Sequence, residues 1–99
     1  MAGKKWFSAR TVIEEDAVKD LIDSESKKYH RLNDIFEGLK WRLARRPESG
    51  LEISDNPRKW IFKTYPWSVG GAAVITVIYT FDDDTVTIQA AKVTEIVNE

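Results

Sequence analysis

The hydrophobic period of this chain changes once, near Gly50, and that change constrains the fold more than any other feature. Before it, Tyr29, Leu32, Ile35, Phe36, Leu39 and Leu43 recur at spacings of three and four, which places them on one stripe of a long helix running from Ser24. After it come three runs rich in β-branched and aromatic residues: Trp60 to Tyr65, Ala73 to Phe81 and Thr85 to Ala90. Such runs read as strands, and their close succession predicts an antiparallel meander. The fold class expected is therefore α+β, with a helical N-terminal half packed on one face of a single-layer C-terminal sheet.

The flanking segments complete the order of elements. Trp6 to Val12 is aromatic and β-branched and reads as a first strand. The acidic run Glu14-Glu15-Asp16 behind it suits the positive end of a helix dipole. That first helix draws its apolar side from Val18, Leu21 and Ile22, and Asp23-Ser24 is placed to break it or to cap the next one. Arg45-Arg46-Pro47 marks the end of the long helix, because arginines answer the C-terminal dipole and proline disfavours helix at the residue before it. Glu48-Ser49-Gly50 makes a turn, Pro66 to Ala72 a connection, and Asp82-Asp83-Asp84 a short hairpin turn whose carboxylates can cap backbone donors. The middle strand is apolar on both faces, as suits a strand covered on both sides. The whole, residues 1–99, is expected to be one domain.

Composition narrows the chemistry. Apolar residues make up 42% and charged residues 31%, enough for a true core and too polar for a membrane span. The absence of cysteine removes disulfides, thiolate metal sites and cysteine nucleophiles together. Met1 to Phe7 has two lysines but no apolar leader core, so the expected location is the cytoplasm. The formal net charge is −1, yet it is unevenly spread: residues 1–50 come to +2 and residues 51–99 to −3. Within residues 39–63 the positive side chains are Lys40, Arg42, Arg45, Arg46, Arg58, Lys59 and Lys63, against Glu48, Glu52 and Asp55.

Those cations make the first candidate site. Arg42, Arg45 and Arg46 lie along one border of the long helix's apolar stripe, and Arg58, Lys59 and Lys63 begin the strand expected to pack near it, so together they can hold several phosphates. The bland reading is that helix-end arginines answer the dipole and strand-edge cations oppose aggregation. Trp41 points away from the apolar stripe one turn from Arg45, and Trp60 and Trp67 flank the basic strand. Trp6 and Trp60 suit the core, whereas Trp41 and Trp67 suit the core and base stacking or partner docking equally. The triple aspartate has no calcium-loop spacing, and the lone His30 has neither a metal nor a triad partner pattern. Gly70-Gly71 lacks the phosphate-loop spacing. No metal and no cofactor is expected. What remains for catalysis is acid–base chemistry, for which Lys63, Tyr65, Lys92 and Glu95 are the candidate residues.

The order strand, helix, long helix and meander resembles the RelE/ParE superfamily of bacterial toxins. Leu43-Ala44-Arg45-Arg46-Pro47-Glu48-Ser49-Gly50-Leu51 is similar to that family's helix-ending segment, and Val77 to Ile88, with its aromatic residues and acidic turn, is similar to its last hairpin. The resemblance implies a toxin-like component of a type II toxin–antitoxin system, neutralised by a cognate antitoxin protein. It implies either a ribosome-dependent mRNA interferase, a metal-independent endoribonuclease, or a non-catalytic toxin directed at DNA gyrase. A degenerate member acting only as a protein-binding module is the third reading. By the resemblance Lys63, and after it Lys59, falls where catalytic lysines sit, while Thr76 replaces the arginine expected early on the next strand. Lys92 and Glu95 stand in place of the arginine and tyrosine usual near the C-terminus.

Overall fold

The computed structural model describes residues 9–29, 31–64 and 73–95. In chain order it runs β1 (Thr11–Glu14), α1 (Asp16–Glu25), α2 (Leu32–Arg45), a single 3-10 turn (Pro47–Ser49), β2 (Leu51–Asp55), β3 (Arg58–Lys63), β4 (Ala73–Phe81) and β5 (Thr85–Glu95). The five strands form one mixed sheet in the order β1-β5-β4-β3-β2. This is an α+β fold with both helices on one face, and it corrects the expected three-stranded meander in two ways. An extra strand, β2, pairs with β3 through a hairpin turn at Asn56-Pro57, which holds a cis peptide bond. The N-terminal strand pairs parallel to β5, with Val12 beside Val86.

Three boundaries also move. β1 begins at Thr11, with Ala9 and Arg10 before it rather than in it; residues 1–8, where the expected strand starts, lie outside the described residues, and so does His30. Asp23-Ser24 lies inside α1 and breaks nothing. The long helix starts at Leu32, because Arg31 at its N-cap takes a left-handed conformation, φ 72°; Tyr29 thus precedes the helix while still packing on the core.

The core lies between the helices and one face of the sheet. β4 alternates strictly, so Ala73, Ile75, Val77 and Tyr79 are buried on the helix side, and Val86 and Ile88 of β5 join them. From the helices come Val18 and Ile22 on α1 and Leu32, Ile35, Phe36, Leu39 and Leu43 on α2. Each such side chain contributes roughly 1.5–3 kcal/mol by leaving water. A bulge at Gln89 shifts the β4/β5 register, so that Ile78 faces Ala90 while Tyr79 faces Ile88. That extra residue keeps Ala91 and Val93 on the helix side and sends Lys92 and Thr94 to the opposite one.

Two polar locks brace the fold, one between helix and sheet and one within the sheet. The Lys40 ammonium on α2 reaches Glu14 of β1 at 2.7 Å and Glu37 at 2.9 Å. Burial pulls its pKa down, but the hydrogen bonds to the two carboxylates outweigh that and leave it above the ordinary lysine value. At the start of β4 the Thr64 hydroxyl accepts the Ile75 N–H at 3.0 Å, and the Thr64 N–H donates to the Ile75 carbonyl at 3.0 Å.

Candidate nucleic-acid interface

Strand alternation sorts the charges on this sheet between its two faces. Lys59, Ile61 and Lys63 of β3 share one side, whereas Arg58, Trp60 and Phe62 share the other, the side of the helices. Lys63 stands opposite Thr76 of β4, and Thr76 stands opposite Lys92 of β5. One transverse row thus reads Lys63, Thr76, Lys92, and two strand spacings put the lysine backbones about 10 Å apart. The four carboxylates on the strands all face the helix side: Glu14 beside Ile88, Glu52 beside Trp60, Asp55 beside Arg58 and Glu95 beside Ala73. Among the described strand residues, the helix-free face carries Lys59, Lys63 and Lys92 and no acid.

The rest of that face is small, polar or aliphatic. Thr76 and Thr80 of β4 and Thr85, Thr87 and Thr94 of β5 present hydroxyls. Leu51, Ile61, Ile78 and Ala90 cross four strands as an apolar row, and Leu51 is 73% exposed. Between these rows lies a shallow depression of about 620 Å³, lined by Gly50, Leu51, Ile61, Lys63, Thr76 and Thr94 among others. The floor is fixed from behind: Gly50 donates its N–H to the Tyr79 hydroxyl at 3.1 Å, and a Cβ on Gly50 would strike that hydroxyl and the Ile61 carbonyl. Cations, hydroxyl donors and a flat apolar strip are the groups from which a single-stranded nucleic-acid surface is built.

The cations that the sequence places together are divided by the fold. Arg42, Arg45 and Arg46 are exposed at the C-terminal end of α2, across the sheet from Lys63 and Lys92. The Arg45 guanidinium lies over the Trp41 ring, 4.1 Å from its centroid, and Trp41 is 61% exposed. Arg58 pairs with Glu52 at 2.9 Å on the helix side. Trp60 is half-buried against the core and packs on Phe81, centroids 5.4 Å apart. The described acid–base candidates, Lys63, Lys92 and Glu95, do not share one face either. Glu95 shares the face of Ala73, opposite to Lys92, and Tyr65, like Trp67 and Gly70-Gly71, lies outside the described residues. The Asp82 carboxylate accepts the N–H groups of Asp84 at 2.9 Å and Thr85 at 2.8 Å, which holds its pKa below the ordinary aspartate value. Among the described residues no group of three or more His, Cys, Asp or Glu side chains is placed to hold a metal ion, and no helix is long and apolar enough to cross a membrane.

The threonine contribution to the face was missed by a reading focused on charge. Its signal is the period-two recurrence of Thr76 and Thr80, then Thr85 and Thr87, which marks the wet side of two adjacent strands. No family model, curated protein or solved structure matches the chain.

Proposed function

We propose that this chain is a toxin-like protein of a type II toxin–antitoxin module whose target is RNA, held on the helix-free face of the sheet. The observation that supports it is the segregation of charges among the described strand residues, with three lysines on one face and four carboxylates on the other. In a protein of net charge −1 this gives one locally cationic surface for a polyanion. Lys63 and Lys92 hold neighbouring phosphates, the threonine hydroxyls add donors to phosphate or ribose, and the Leu51–Ile61–Ile78–Ala90 row gives base faces an apolar floor. In cleavage, the ribose 2′-hydroxyl attacks the adjacent phosphorus as the 5′-oxygen leaves, the hydroxyl proton passing to solvent. Lys63 stabilises the charge that builds on that phosphate while Lys92 holds the neighbouring one. A cognate antitoxin silences the protein in the cytoplasm.

The test pairs binding with toxicity. A fluorescent single-stranded RNA of about twelve nucleotides is titrated with the wild-type chain and with Lys63→Ala/Lys92→Ala, and both are expressed in growing bacteria. The double variant is expected to bind at least tenfold more weakly at low salt, to relieve growth arrest and to leave ribosome-bound mRNA intact. Unchanged RNA affinity in the double variant sinks the reading. Growth arrest accompanied by gyrase inhibition in a supercoiling assay, without mRNA cleavage, assigns the chain to the gyrase-directed class instead.

A further inference from the structure

The outward face of α2 carries a pattern that the described residues of the monomer do not use. Gly38 sits mid-helix with its solvent side open: a Cβ built there meets nothing within 4 Å. Glycine is among the poorest residues for a helix interior, and no contact among the described residues requires it. One turn further on stands Trp41, 61% exposed. Asp34, Gly38, Trp41 and Arg45 are all exposed and fall at successive spacings of four, three and four, the seam of two helices crossing at a shallow angle of about 20°. Glu37 and Arg42, both exposed, flank that seam.

From these positions we infer that α2 is a homodimer interface, the occupant of this face being α2 of a second copy of the chain packed antiparallel about a two-fold axis. The register is set by the residues themselves. When the axis passes midway between Gly38 and Trp41, each Trp41 seats on the open Gly38 of the other copy. The same register sets Asp34 against Arg45 and Glu37 against Arg42, at both ends of the contact. An isologous contact must be self-complementary, and here the acids occupy the N-terminal half of the exposed stripe and the arginines the C-terminal half. Among the described residues Asp34 pairs with Arg31 at 3.5 Å across an exposed contact, Arg45 lies on Trp41, and Glu37 pairs at 2.9 Å with Lys40, whose part-buried ammonium also holds Glu14. The exposed Asp34–Arg31 pair exchanges at little cost, and Lys40 keeps Glu14 at 2.7 Å when Glu37 turns to the opposing Arg42. The arginine already resting on the tryptophan would be carried into the contact beside the opposing aspartate.

A contact of about three helical turns is small by the standard of stable protein complexes, so the dimer forms and dissociates with concentration. Sedimentation velocity from about 1 µM to about 1 mM is expected to show a monomer–dimer transition. Trp41→Ala, Gly38→Leu and the charge reversal Asp34→Arg should each shift its midpoint upward by tenfold or more, with the circular dichroism of each variant confirming that it folds. The decisive variant combines Asp34→Arg with Arg45→Asp, which restores opposite charges across the axis and should return the midpoint toward that of the wild type. A chain that stays monomeric up to about 1 mM overturns the inference, as does a dimer indifferent to Trp41→Ala or not recovered by the charge exchange.

Discussion

Tyr79 is buried on the helix side of β4, and its hydroxyl donates to the Pro47 carbonyl while accepting the Gly50 N–H. One phenol thereby ties the turn after α2 to the middle of the sheet and sets the floor of the depression on the opposite face. Burial pushes its pKa up to about 12, with the nearby Glu48 charge adding to the shift and the Gly50 hydrogen bond opposing it. The folded state therefore holds this proton more tightly than the unfolded chain, whose tyrosines titrate near 10. The stabilisation is complete below about pH 10 and is lost as the pH rises toward 12. Tyr79→Phe should cost about 1–3 kcal/mol at neutral pH, because it strands a backbone donor and a backbone acceptor. It should also flatten the alkaline fall in stability between about pH 10 and 12. Urea denaturation of both proteins across that range checks both effects.

The break between α1 and α2 rests on a residue poorly suited to it. Arg31 takes φ 72° and ψ 12°, a region that costs a residue with a Cβ roughly 1–2 kcal/mol and glycine almost nothing. Its ion pair to Asp34 is exposed on both sides and returns little of that. Arg31→Gly should therefore stabilise the protein by up to about 1 kcal/mol, part of the gain being offset by the greater freedom of glycine in the unfolded chain. A higher denaturant midpoint at unchanged slope is the expected readout. The same residue explains what was hidden in the sequence. The helical stripe from Leu32 to Leu43 is legible, because one packed face forces its spacing, but no glycine or proline marks the break at Arg31, so the spacing alone carries the stripe back through Tyr29. β3, β4 and β5 were legible from their β-branched runs. β2 was not, although Leu51-Glu52-Ile53-Ser54 alternates and Asp55-Asn56-Pro57 is a turn signal, because an exposed edge strand needs few apolar residues. The parallel placement of β1 beside β5 joins segments some seventy residues apart, and no local pattern encodes such a pairing.

On the scale of the whole molecule, charge is arranged by face and not by stretch of sequence. The cations between residues 39 and 63 look like one patch when read along the chain, but Arg58 and Lys59 are neighbours and so point to opposite sides of a strand, while the α2 arginines lie beyond the sheet. Lys92, distant in sequence, joins Lys63 because β5 returns beside β4. If RNA lies on the helix-free face, the salt dependence of binding counts the phosphates neutralised there. With Lys59, Lys63 and Lys92 engaged, log K against log salt should fall with a slope of about −2 for a single strand, and Lys63→Ala/Lys92→Ala should reduce it to about −0.7. Arg42→Ala/Arg45→Ala, on the far side of the sheet, should leave the slope unchanged while weakening the proposed α2 dimer. The double arginine variant therefore separates the two surfaces: a slope that drops with it would place the nucleic acid on the helices and reject the lysine face, whereas an intact slope with lost self-association assigns each surface its own partner.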